Sequence, residues 1–196
     1  MKQTNKDQLR NLEENIKFVE RQFNYTFKNK SLLKQAFYRG VQHTSYCGKY
    51  YGITNQNLEY IGDRVLYVAV IMNTHLLSGN KISSDGYYIG PSCAEFSKKG
   101  ISQTNNVYLC EKMRSKHLKF LKKLLVAPQQ PGDNAKAWAD LYESIFGAIA
   151  LDCNFDMNII LKSYLASNTI VQHKGMLNYI ESKKETDQAI KSMYLN

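Results

Sequence analysis

The sequence NLEYIGDRVL at residues 57–66 places two carboxylates inside an apolar segment. In a helix, Glu59 and Asp63 are about one turn apart and project from the same face. Like charges at this spacing repel each other, so the pair indicates either a solvated helix face or a cation held between the carboxylates. The segment alone leaves both interpretations open.

A second acidic pair lies in residues 135–152, AKAWADLYESIFGAIALD, where Asp140 and Glu143 are three residues apart. Small side chains in this segment predict close packing against another helix; they are those of Ala139, Gly147 and Ala148. Four carboxylates in a helical core would repel strongly unless metal ions neutralised them, and oxygen ligands favour Mg²⁺ or Mn²⁺. For either pair alone, an exposed salt-bridging pair is the simpler interpretation.

The composition indicates a globular domain with a substantial core: 196 residues, 43% hydrophobic and 22% charged. The net charge of +9 favours a polyanionic partner. No apolar run approaches the ~18 residues that span a bilayer, and the polar residues 1–12 do not resemble a signal peptide. We therefore expect an intracellular protein without a membrane partner, in the cytoplasm or the nucleus. The four cysteines form no Cys-x-x-Cys pair, which predicts reduced thiols.

Apolar periodicity predicts a helix over residues 7–23, a second helix capped by Asn29 or Ser31, and a loop over residues 40–55. The central helix follows to Leu77, and its apolar middle predicts that it is the buried axis of the fold. Shorter helices are expected at 93–99 and 107–113, and a loop at 127–133.

The most basic stretch is residues 98–123, which contain eight lysines and arginines. Such a stretch is typical either of a solvated helix face or of a surface that contacts phosphates, and the sequence does not decide between them.

Residues 57–66 strongly resemble the signature of the ribonuclease III family, and residues 139–149 match its second motif. Residues 25–27 and 32–36 resemble the opening segment of the family, so the resemblance covers about residues 24–152. The chain has Gln56 where the family usually has Glu. Its His43-Thr-Ser-Tyr motif lies further downstream than in the family, and residues 81–106 match poorly. We expect no double-stranded RNA-binding domain after the catalytic domain.

The resemblance implies an all-α fold, with a catalytic domain at residues 1–170 and a short helical tail at 171–196. It also implies a Mg²⁺-dependent endoribonuclease that hydrolyses phosphodiester bonds in double-stranded RNA, in RNA processing or silencing, with Mn²⁺ as a substitute metal. The catalytic residues and metal ligands implied by the resemblance are Glu59, Asp63, Asp140 and Glu143. The implied assembly is a homodimer in which each site cuts one strand and leaves short 3′ overhangs.

Tyr60 matches a family residue that inserts into the partner subunit, although an ordinary core position is an equal alternative. A separate RNA-binding protein is a possible further partner. A catalytically silent RNA-binding scaffold of the same fold is the alternative function, but such relatives typically lose acidic ligands. A di-iron carboxylate bundle would need a Glu-x-x-His motif, which the sequence lacks.

Overall fold

The computed structural model describes residues 5–38, 42–47, 49–79, 81–114 and 135–168. Within these ranges the chain forms seven helices and one two-stranded antiparallel hairpin, so the predicted helical fold is confirmed. The elements in chain order are α1 (Asn5–Gln22), α2 (Lys30–Ala36), β1 (Gln42–Tyr46), β2 (Lys49–Ile53), α3 (Gln56–Ser78), α4 (Cys93–Thr104), α5 (Asn106–Arg114), α6 (Ala135–Asp152) and α7 (Met157–Asn168). The predicted tail, the loop at 127–133 and the end of the basic stretch lie outside the described residues.

Helix α6 is the central buried helix, because every residue from Ala137 to Ala150 is buried. The prediction that α3 would be the buried axis is wrong: Val68 is 43% exposed and Leu77 is 81% exposed. The alanines and glycine of α6 let neighbouring helices approach it closely, whereas α3 packs against α6, α4 and α7 and still leaves Tyr60, Val68 and Leu77 exposed.

Two glycines set the crossing of α3 and α6, which is the most extensive contact between described elements. A Cβ atom on Gly62 would lie 1.7 Å from the carbonyl oxygen of Glu143. A Cβ atom on Gly147 would lie 2.0 Å from the carbonyl oxygen of Leu58. The two backbones are therefore in direct contact, as the small residues of the second motif predict.

The segment predicted as a loop contains the β-hairpin. Residues Gln42 and Ile53 pair at its open end and Tyr46 and Lys49 at its tip, where Cys47 has a positive φ of 49°. Aromatic and β-branched residues favour strands, but Gly and Ser between them mask the pattern. The hairpin delivers the chain to the first turn of α3.

The C-terminal end of α6 is tied to the segment between α1 and α2 by one carboxylate. Asp152 accepts hydrogen bonds from the Tyr25 hydroxyl at 2.7 Å and from the backbone N–H groups of Lys28 and Asn29 at 2.8 and 2.7 Å. Although desolvation alone would raise the pKa of Asp152, these hydrogen bonds hold it below its ordinary value. The contact fixes α6 at the end opposite to its acidic pair.

Other features follow the sequence closely. Asn29 caps α2 by accepting from the N–H of Ser31, and Ser92 and Glu95 form a capping box that starts α4. All four cysteines are free thiols. Among the helices that the structure describes, none combines the length and the apolar character that a membrane crossing requires. Residues 157–168, for which no helix was predicted, form α7, which packs against α6.

Candidate active site

A cavity of about 610 Å³ opens where the first turns of α3 and α6 lie beside the junction of α4 and α5. Its lining is mostly polar and contains all four carboxylates that the sequence analysis selected. The lining residues are Asn55, Gln56, Glu59, Tyr60, Asp63, Thr104, Asn106, Lys136, Asp140 and Glu143.

Three of the carboxylates converge. Carboxylate oxygens of Glu59, Asp140 and Glu143 lie within 4.8 Å of one another, and we call these residues the acidic cluster. Asp140 and Glu143 are each only 6% exposed. Asp63 lines the same cavity but is outside the cluster, and its carboxylate forms an ion pair with Arg64 at 2.9 Å.

The acidic cluster is electrostatically unfavourable without a cation. Burial raises the pKa of Glu143 to about 8, and the nearby carboxylates add to this shift, with Asp63 contributing most among them. Asp63 is thus close enough to act on the cluster although its Oδ2 is paired with Arg64. A divalent cation in the cavity would remove the cost of ionising Glu143.

Lys136 supplies positive charge at the edge of the acidic cluster. Its Nζ lies 2.9 Å from Oδ1 of Asp140 and 3.4 Å from Oε1 of Glu59, and so contacts carboxylates from both helices. The hydrogen bond to Asp140 is the largest cause of the raised pKa of Lys136, which keeps the amine protonated.

The helix crossing explains why these groups meet. Glu59 lies in the first turn of α3, and the close contact at Gly62 and Gly147 brings that turn against Asp140 and Glu143. The Ser144 hydroxyl donates to the carbonyl oxygen of Asp140 at 2.6 Å and lies 3.3 Å from that of Asn55, so it links the two helices beside the cluster. The backbone therefore fixes the positions of the carboxylates.

Four lining residues were not predicted from the sequence: Asn55, Thr104, Asn106 and Lys136. Lys136 precedes Asp140 by four residues on α6, and this spacing was a usable signal for an ion pair. Asn55 was predicted only as the end of the loop over residues 40–55, and nothing in the sequence indicates that it lines the cavity. Tyr60 is 64% exposed, which excludes the alternative that it is an ordinary core residue, and the Arg64 guanidinium lies over its ring at 5.2 Å.

Comparisons with known proteins agree on one fold. Two structures of the nuclease domain of ribonuclease III from Campylobacter jejuni superpose with TM-scores of 0.55 and 0.54, each at 22% sequence identity. They cover 79% and 81% of this chain and 99% and 98% of their own chains. In the first of these structures, the region involved in dimer formation of that protein is structurally flexible. The described residues thus have the fold of a ribonuclease III nuclease domain.

Ribonuclease 3 of Roseburia hominis is 28% identical to this chain over 175 residues, which confirms the predicted resemblance to the ribonuclease III family. The match covers 77% of this chain and 45% of that protein, so the chain spans less than half the length of this relative. No family model matches the chain.

Proposed function

We propose that this chain is a divalent-metal-dependent endoribonuclease that hydrolyses phosphodiester bonds in double-stranded RNA. The observation that carries the proposal is the convergence of Glu59, Asp140 and Glu143 within 4.8 Å in an open cavity of a ribonuclease III nuclease fold. The net charge of +9 supports a polyanionic substrate. The acidic cluster itself would repel such a substrate unless a metal ion neutralised its charge.

The donor set fits Mg²⁺, with Mn²⁺ as a substitute. All the candidate ligands are carboxylate oxygens, which hard divalent cations prefer, and no histidine or cysteine lines the cavity among the described residues. When bound, Mg²⁺ would polarise the phosphate oxygens and lower the pKa of a coordinated water. We include Asp63 as a fourth ligand because it lines the cavity one turn beyond Glu59 and acts on the ionisation of Glu143.

The side chains that line the cavity have separate roles in binding the cation and the substrate. The acidic cluster holds the cation, and the backbone contact between α3 and α6 fixes the distance between its carboxylates. The Lys136 ammonium stands beside two of the carboxylates and offers a charged donor to a phosphate oxygen of the bound strand. Positioning and charge neutralisation supply most of the catalysis of phosphodiester hydrolysis.

We also propose that the chain acts as a homodimer. Tyr60, Arg64 and Val68 are spaced four residues apart along an exposed stripe of α3, and Tyr60 and Val68 leave apolar surface uncovered. A two-fold dimer built on this stripe would provide two active sites, each cutting one strand to leave short 3′ overhangs. A separate RNA-binding protein is a further partner that we propose for substrate selection.

A substrate panel tests this function. The full chain is incubated with long double-stranded RNA, single-stranded RNA of the same sequence and the matching double-stranded DNA, with Mg²⁺ or with a chelator. We expect cleavage of double-stranded RNA alone, and only with Mg²⁺. Binding of double-stranded RNA without cleavage, in Mg²⁺ and in Mn²⁺, would contradict the nuclease proposal and favour the scaffold.

A further inference from the structure

Asn55 precedes α3 and lines the cavity that contains the acidic cluster. The residue is 3% exposed, and its backbone contacts Tyr38, Glu59 of α3 and Ser144 of α6. Its N–H donates to the carbonyl oxygen of Tyr38 at 2.8 Å, and its own carbonyl accepts from the N–H of Glu59 at 2.8 Å and lies 3.3 Å from the Ser144 hydroxyl oxygen. The position of the Asn55 backbone beside the cavity is therefore well determined.

The side-chain amide of Asn55 is not used by the fold. Its Nδ2 atom is buried and has no hydrogen-bond partner among the residues that the structure describes. Asn at a helix N-terminus usually caps the first turn through its side chain, but Asn55 forms no such side-chain bond. A buried donor without a partner costs folding free energy, so its presence in a cavity wall indicates a ligand that satisfies it.

The chemistry of the donor limits what that ligand is. A charged donor in this cavity pairs with the acidic cluster, as Lys136 does with Asp140 and Glu59. A neutral amide forms no ion pair with the cluster and remains available for an oxygen acceptor that enters the cavity. In an RNA duplex, such acceptors near a cleaved bond are the phosphate oxygens and the ribose 2′-hydroxyl groups.

We propose that Asn55 is a substrate-binding residue whose Nδ2 donates a hydrogen bond to a ribose-phosphate oxygen of the nucleotide held beside the acidic cluster. This inference rests on the proposed function, since it takes the bound polyanion to be RNA. It adds a neutral donor to a site whose four selected carboxylates are charged, and it gives Asn55 a role besides starting α3.

Binding measurements test the inference apart from catalysis. The dissociation constant of a fluorescent RNA duplex is measured by anisotropy in Mg²⁺, in a Glu143→Gln background that keeps the duplex intact. Adding Asn55→Leu, which has a similar volume but no donor, should raise the dissociation constant about three- to tenfold, the effect of losing one hydrogen bond. Asn55→Ala is measured beside it in case the leucine disturbs the fold.

The matched control is Ser163→Ala in the same background. Ser163 has the other buried side-chain atom without a partner among the described residues, but it lies on α7 and does not line the cavity. Its removal should leave the dissociation constant unchanged. Duplexes with single 2′-deoxy nucleotides around the cleavage point identify the acceptor: the effect of Asn55→Leu disappears at one position if the partner is a hydroxyl group, and persists at all positions if it is a phosphate.

The inference would be overturned if neither Asn55→Leu nor Asn55→Ala changed the dissociation constant of the Glu143→Gln protein. This conclusion requires that the unsubstituted chain cleaves double-stranded RNA. If the unsubstituted chain neither binds nor cleaves this RNA, the proposed function itself has failed. The two failures are therefore distinguishable in one set of experiments.

Discussion

At the scale of single residues, Glu143 carries the largest electrostatic conflict in the cavity. Its pKa is raised from 4.5 to about 8 by burial and by neighbouring carboxylates. Between about pH 4.5 and pH 8, Glu143 is therefore protonated in the folded state and ionised in the unfolded state. The protonated group contributes stability below this window, and that stability is lost as the pH rises through it.

Replacing Glu143 with Gln removes this titration. In a chelator, Glu143→Gln should be more stable than the unsubstituted chain by roughly 1–3 kcal/mol at pH 8, and the difference should shrink as the pH falls towards 5. Thermal unfolding followed by circular dichroism across this range measures it. A difference in stability that does not change with pH would show that the pKa of Glu143 is not raised in the folded state.

In our proposal, Lys136 competes with a metal for the same carboxylates and contacts the substrate. Lys136→Met should therefore tighten Mn²⁺ binding in the absence of RNA by about two- to fivefold while it lowers the rate of cleavage. Electron paramagnetic resonance measures the free Mn²⁺, and a gel assay measures cleavage. Lys17→Met, on the exposed side of α1, should change neither quantity. Unchanged Mn²⁺ affinity in Lys136→Met would contradict the competition.

At the scale of elements, the site depends on the crossing of α3 and α6. Gly147→Ala would place a Cβ atom 2.0 Å from a backbone oxygen of α3, which cannot move independently of the helix. We expect a loss of at least ~2 kcal/mol of unfolding free energy by urea denaturation, with loss of cleavage. Gly100→Ala meets only the far end of the Tyr67 side chain and should cost less. Equal losses would argue against a special role for the crossing.

The limits of sequence reasoning appear at this scale. Apolar spacing and capping residues predicted α1, α2 and the bounds of α6, because those signals are local. The hairpin was missed because its strands are short and contain Gly and Ser, and α3 was taken as the buried axis because apolar composition does not say which face a neighbour covers. Burial is decided by packing between distant segments.

In the candidate site too, local features were predictable from the sequence and features set by packing were not. The spacing within each acidic pair follows from one helix, so the sequence could predict that Glu59 and Asp63, or Asp140 and Glu143, share a face. Which oxygens converge depends on how α3 crosses α6, and the structure brings together Glu59, Asp140 and Glu143 while Asp63 pairs with Arg64. The buried position of Asn55 depends on backbone contacts with Tyr38 and with Ser144 of α6, which no local pattern specifies.

At the scale of the whole molecule, the exposed stripe of α3 determines the predicted assembly. Val68→Lys would place a charge on an apolar residue of the proposed dimer contact and should shift the chain from dimer to monomer in analytical ultracentrifugation, with a large loss of cleavage. Val68 does not line the cavity, so an effect on cleavage would act through assembly. The control is Leu151→Lys, which adds the same charge at an exposed apolar residue near the C-terminal end of α6, outside the stripe. A Val68→Lys protein that remains dimeric would contradict this interface.

The central claim is that the acidic cluster holds the divalent cation that makes the chain a nuclease for double-stranded RNA. The most direct test is the initial rate of cleavage of a long RNA duplex, measured against Mg²⁺ concentration for the unsubstituted chain, Glu143→Gln and Glu95→Gln. Glu95 lies in the capping box of α4, outside the cavity, and glutamine preserves that box. We predict a Mg²⁺-dependent rate that falls at least ~100-fold in Glu143→Gln and is retained in Glu95→Gln. Cleavage by Glu143→Gln at the unsubstituted rate, or cleavage that persists in a chelator, would contradict the claim.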